Sequence, residues 1–96
     1  MAQKHISLTE TIHEDNPAIQ VDFPSVWRDE LFAHFKNSGI GGLPVLESVT
    51  LDGDHFDAYL IPESSEYDIL DAIAKWLKTQ KIEFRYNEED KKFIIL

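Results

Sequence analysis

Near the start of the chain Ile6, Leu8 and Ile12 alternate with Ser7, Thr9 and Thr11, the period of a strand with one buried face. Glu10 falls on the apolar parity and interrupts it. Glu14-Asp15-Asn16-Pro17 has the composition of a turn, and Ile19, Val21 and Phe23 then alternate with Gln20 and Asp22. The segment therefore predicts a hairpin. Pro24 and Ser25 open a predicted helix in which Trp27, Leu31, Phe32 and Phe35 recur at helical spacing. Gly39 followed by Ile40 predicts its end, with the glycine in the left-handed closing position.

Val45 to Leu51 and Asp54 to Ile61 read as a second hairpin about Asp52-Gly53, a dipeptide suited to a two-residue turn with both residues at positive φ. That turn predicts Val49 opposite Phe56, Thr50 opposite His55, Ser48 opposite Asp57, Leu46 opposite Tyr59 and Val45 opposite Leu60. Ser65 and Asp68 have the spacing of a capping box at the head of a second helix. Ile69, Leu70, Ile73, Ala74, Trp76 and Leu77 form its apolar stripe, with Lys75, Lys78 and Lys81 toward its negative end. Ile82, Phe84 and Tyr86 alternate with Glu83 and Arg85 as a fifth strand, and Lys92 to Leu96 returns as a sixth. Phe93-Ile94-Ile95-Leu96 shows no polar alternation, so that strand is expected inside the sheet with both faces covered, the alternative being an edge strand covered by a second copy of the chain.

The resulting order, ββαββαββ, predicts one α+β domain over residues 1–96, an antiparallel sheet with two helices packed on one face. Were the first hairpin a single strand, the remaining order would be that of a ferredoxin-like two-layer sandwich. A shift of 38 residues superposes Leu31, Phe32 and Phe35 on Ile69, Leu70 and Ile73, and Pro24 on Pro62. Identity under that shift is otherwise poor, so the shared period of two amphipathic helices explains it better than a duplication.

Composition narrows the classes. The chain has 96 residues, 43% of them hydrophobic, enough for one core and too few for two. It has no cysteine, which removes disulfides, thiol catalysis and cysteine-bound zinc. The first residues lack the apolar run of a secretory signal, and no run approaches the roughly 18 residues of a membrane span, so a cytoplasmic protein with no membrane association is expected. The net charge is -9 and unevenly spread. Residues 37–74 contain no Lys or Arg but carry Glu47, Asp52, Asp54, Asp57, Glu63, Glu66, Asp68 and Asp71. Such a field repels nucleic acid and attracts a basic partner.

Candidate chemistry is sparse. Asp52, Asp54, His55 and Asp57 lie close in sequence, yet on a strand Asp54 points away from His55 and Asp57, and the bidentate glutamate of a calcium loop is missing. His5, His13, His34 and His55 show no zinc-binding spacing, and His34 is expected as a structural histidine beside the first helix's stripe. None of the serines sits in a nucleophile elbow. Gly39-Ile40-Gly41-Gly42 lacks the Lys and Thr of a phosphate loop. No catalytic residue, metal or other cofactor is expected. The sequence points to a small acidic protein-binding or regulatory module, an inhibitor, immunity-type partner or adaptor, acting as monomer or homodimer on a protein with a basic surface. Its contact residues are expected at Asp54, Asp57, Tyr59, Glu63 and Glu66, where an aromatic stands among acids. The competing reading is a small-molecule or metal-binding enzyme-like domain, using His55, Asp57 and Tyr59 on the open face of the sheet.

Overall fold

The computed structural model describes residues 4–51, 54–62 and 66–96, with 44–51 and 54 in their backbone alone. The elements run β1 (His5–His13), β2 (Asn16–Pro24), a single 3-10 turn (Ser25–Trp27), α1 (Arg28–Asn37), β3 (Leu43–Leu51), β4 (Asp54–Pro62), α2 (Glu66–Thr79), β5 (Phe84–Asn87) and β6 (Lys92–Ile95). The chain is an α+β protein built on an antiparallel sheet with two helices. The Asp52-Gly53 turn, Glu63 and the Ser65 half of the expected capping box lie outside the described residues.

Local chemistry explains the element ends. The first hairpin turns on Glu14 and Asp15 alone, at φ 49° and 67°, while Asn16 and Pro17 belong to β2 opposite His13 and Ile12. The turn is tighter than its composition suggests because two left-handed residues follow the right-handed twist of the strands. Ser25 makes no cap: its Oγ is buried without a hydrogen-bond partner, and the α-helix proper starts at Arg28 after the 3-10 turn. At the other end of α1, Ile40 N–H donates to the Phe35 carbonyl (2.9 Å) and Gly39 N–H to that of Lys36 (3.1 Å), with Gly39 at φ 77°. This is a Schellman closure. Helix α2 closes in the same way through Ile82 to Leu77 and Lys81 to Lys78, both 3.0 Å, but a lysine at φ 58° fills the glycine position.

The strands stand in the order β3-β4-β2-β1-β6-β5, every neighbouring pair antiparallel. Both strands of the first hairpin enter the sheet, so the ferredoxin-like order, which needs one strand ahead of α1, does not arise. β6 lies between β1 and β5, an interior position, but its two faces are not both covered: Phe93 is buried, Ile94 and Ile95 are half-buried and Leu96 is exposed. β3 is an edge, and its pairing with β4 changes register along its length. Val49 faces Phe56 and Thr50 faces His55 as the turn requires, but Val45 then faces Ala58 in place of Leu60, and Pro44 in place of Leu46 faces Tyr59. A strand with no outer neighbour accommodates such a bulge, and the bulge together with Pro44 blunts the edge against further pairing.

Adding 38 to the bounds of β1 and β2 gives the bounds of β3 and β4, and the starts of α1 and α2, Arg28 and Glu66, differ by the same number. β6 begins at Lys92, again 38 beyond the start of β4. The β2–β4 ladder is symmetric under this shift: Ala18 faces Pro62 and Phe56 faces Pro24, the same two positions taken once from each unit, with Val21 and Tyr59 at the centre. The two ββα units are thus a structural repeat about a pseudo-two-fold axis, contrary to the expectation from residue identity, and the third hairpin extends the sheet beside β1 alone.

One core lies between the helices and one face of the sheet. Ile6, Leu8, Val21, Phe23, Tyr59, Ile61 and Phe93 meet Leu31 and Phe35 of α1 and Ile69, Ile73, Trp76 and Leu77 of α2, all buried. The opposite face carries Ser7, Thr9 and Thr11 on β1, Gln20 and Asp22 on β2, and Phe56, Ala58 and Leu60 on β4. Among the described residues no helix is long and apolar enough to cross a membrane.

Candidate functional site

Of the expected contact residues, Asp54 and Asp57 lie toward one end of β4 and Glu66 beyond the other, while Glu63 is outside the described residues. Asp57 lies opposite Phe23, near the start of the strand, and Asp54 begins it. Glu66 opens α2 beyond the strand's far end at Pro62. Five residues of extended chain between Asp57 and Pro62 span about 16 Å, so no single small patch holds Asp57 and Glu66 together. Tyr59, between them, points into the core. It is only 7% exposed, with its ring 4.6 Å from that of Phe32 and stacked 5.5 Å from that of Phe35. Burial holds its phenol above the ordinary range. Tyr59 is therefore a packing residue, not an aromatic displayed among acids.

At the Asp57 end the side chain points toward the helix layer. Arg28 Nε lies 3.9 Å from Asp57 Oδ2 and 3.7 Å from Asp29 Oδ1, an ion-pair arrangement longer than a hydrogen bond. Nearby, Trp27 meets Trp76 edge-on with centroids 5.4 Å apart, and Lys4 Nζ sits 5.7 Å above the Trp27 ring. His55, Asp57 and Tyr59 share the helix-side parity of β4, whereas Phe56, Ala58 and Leu60 occupy the open face. The trio assigned to the open face is thus on the other side of the sheet. His5 lies on the open face and packs its ring 4.8 Å from that of Phe56. His34 is structural: Nε2–H donates to the Ala72 carbonyl at 2.9 Å and ties α1 to α2. Among the described residues no three of His, Asp and Glu gather as a metal site.

The Glu66 end holds the denser arrangement. Lys91, at φ 50° in the β5–β6 turn, donates to Glu10 Oε1 at 3.1 Å and lies 3.2 Å from Glu66 Oε1 and 3.4 Å from Oε2. Its carbonyl accepts from Leu8 N–H at 2.9 Å, so one residue locks the third hairpin to β1 by backbone and to α2 by side chain. Hydrogen bonds to the two carboxylates raise the Lys91 ammonium above its ordinary value. The Tyr86 phenol beside it is also raised, by burial first and then by the charges of Glu66 and Glu88. Two grooves meet at Glu66. One, of about 700 Å³, runs along the tip of the first hairpin, and the other, of about 340 Å³, lies between α2 and the third hairpin beside Tyr67, Leu70 and Tyr86.

Comparison with family models, curated proteins and solved structures finds no match to this chain.

Sequence reasoning found Glu66 but missed Glu10, Ile12, Asp15 and Lys91 as its neighbours. The signal for Glu10 was present, since it is the acid that interrupts the apolar parity of β1. For Lys91, 81 residues from Glu10, no local pattern exists.

Proposed function

We propose that this protein is an acidic binding module, an inhibitor, immunity-type partner or adaptor, that docks another protein through a basic surface on that partner. The observation supporting this is how its charges are disposed. Three of its cations are held against its own acids: Arg28 by Asp29 and Asp57, Lys75 by Asp71 at 2.9 Å, and Lys91 by Glu10 and Glu66. Glu14, Asp15, Glu30, Asp68, Glu83, Glu88, Glu89 and Asp90 stand exposed, and they outnumber the exposed Lys4, Lys36, Lys78, Lys81 and Arg85. The outward field of a chain with net charge -9 is then strongly negative, which speeds encounter with a basic protein and opposes nucleic acid and anionic membranes. The proposed contact spans both ends of β4: Asp54 and Asp57 at its start and Glu66 beyond its far end contribute carboxylates together with Glu63, and Tyr59 supports the strand from beneath. The module acts in the cytoplasm, as a monomer or homodimer.

The test is affinity capture from source lysate on the immobilised full chain at low and high salt, followed by binding of the captured, purified partner to the wild type. A one-to-one complex whose association rate falls steeply with ionic strength is expected, because exposed charges are screened beyond about 8 Å at physiological salt. A partner that binds with no dependence on salt would reject the acidic-surface reading.

A further inference from the structure

The first hairpin is longer than the helical layer that covers it. On the core face of β1, Ile6 and Leu8 are buried, but two positions further on Glu10 and Ile12 are 74% exposed as side chain and residue respectively. On β2 the buried Val21 and Phe23 give way to half-buried Ile19 and exposed Pro17, which face Glu10 and Ile12. The sheet's apolar stripe therefore continues past the first turn of α2 and forms the floor of the 700 Å³ groove. Ile12, Pro17 and Ile19 supply apolar surface, and Glu10, Asp15 and Glu66 stand around it. At the corresponding end of the other ββα unit the sequence places Thr50, His55 and Asp57, with Arg28 in place of Glu66. The apolar floor with an acidic surround belongs to one end of the pseudo-symmetric sheet only.

We infer that this groove docks an extended segment of a partner protein in which lysine or arginine alternates with an apolar side chain. The inference rests on the reading of the chain as an acidic binding module and names its site. Charge complementarity selects the occupant: Glu10, Asp15 and Glu66 stand around the groove, and the one Lys91 ammonium shared by Glu10 and Glu66 leaves it net negative. A basic side chain suits such a groove because its methylene stem lies on apolar surface while its charged head stays at the acidic, wet margin. In an extended segment successive side chains leave on opposite sides, so a segment lying edge-on along the groove turns its apolar residues to Ile12 and Ile19 and its basic residues to the wall that carries Glu10 and Glu66. An isoleucine left three-quarters exposed beside Pro17 is then covered in the complex.

The full chain, isotope-labelled, is titrated at low salt with a short peptide of alternating lysine and leucine, and in parallel with lysine–serine and glutamate–leucine peptides of the same length. The expected result is saturable shifts of the Ile12 and Ile19 methyls and the Glu10 and Asp15 amides with the lysine–leucine peptide alone. Ile12→Ser and Asp15→Asn each weaken its Kd by about tenfold while the Ile6 and Val21 methyl signals stay in place, showing the fold intact. Saturable binding that maps elsewhere overturns the groove and leaves the acidic-module reading standing. Equal binding of the lysine–serine peptide overturns it too, since attraction is then by charge alone. Absence of binding by either cationic peptide overturns the groove, while the acidic-module reading stands or falls separately with the salt dependence of the captured partner.

Discussion

Val21 of β2 stands directly across from Tyr59 of β4, and the two are corresponding residues of the two ββα units. They lie on the pseudo-two-fold axis, as does the bond between His34 and Ala72, another corresponding pair. At an axis one side chain meets its own counterpart, so a repeat of identical residues would pack like against like. Valine against tyrosine breaks that equality: the larger ring fills the space beneath α1, stacked on Phe35, and the two halves of the core become distinct.

Tyr59→Ala is accordingly expected to cost about 3–5 kcal/mol in a urea melt, the range for removing a buried aromatic ring. Tyr59→Phe keeps the ring and the stacking on Phe32 and Phe35, so it should melt close to the wild type and bind a basic partner equally well. If the phenylalanine variant lost partner affinity while keeping its stability, Tyr59 would have to be moved from the core to the contact.

Lys81 offers a gain of stability. It occupies the left-handed closing position of α2 at φ 58°, where a Cβ is crowded, while α1 uses Gly39 in the corresponding role. Lys81→Gly should raise stability by about 0.5–1 kcal/mol, the relief of left-handed strain exceeding the added flexibility of the unfolded chain. A lower urea midpoint would show that the lysine side chain contributes more than its backbone strain costs.

Deleting Phe93 to Leu96 should unfold the protein. β6 pairs with β1 on one side and β5 on the other, and Phe93 is 3% exposed with its ring against Phe84 and Tyr86. Circular dichroism and light scattering of the truncated chain decide the matter. A truncated chain that keeps a cooperative melt would mean that the four strands β3-β4-β2-β1 form a self-sufficient sheet.

The Lys91 clasp predicts an alkaline dependence. Its ammonium is raised above the ordinary 10.5 by Glu10 and Glu66, so folding favours the charged form. The stability this provides is complete below the unfolded value and disappears as pH rises through the folded one. The urea midpoint of Lys91→Gln should lie below that of wild type near neutrality, and the gap should narrow at strongly alkaline pH. A gap independent of pH would assign the effect to the packing of the lysine stem and not to its charge.

Periodicity was enough to locate both helices, the first two hairpins and the interior character of the last strand, because each depends on which side chains within a few residues share a face. Gly39 marked the end of α1 for the same reason: the constraint is local. Pairing between distant strands obeys no such rule, which is why the placement of β6 beside β1, the bulge opposite Phe56 to Ala58 and the inward turn of Tyr59 were settled by packing. The repeat escaped the residues because what the two units share is backbone: turn positions, strand lengths and helix starts, which many side chains satisfy. The groove at Glu66 is tertiary for a further reason. Glu10, Glu66 and Lys91 come from three elements far apart in sequence, and the sequence held their charges but not their meeting. Only the length by which the first hairpin exceeds the helices above it exposes Ile12 there, and that length is a relation between two layers that no single segment encodes.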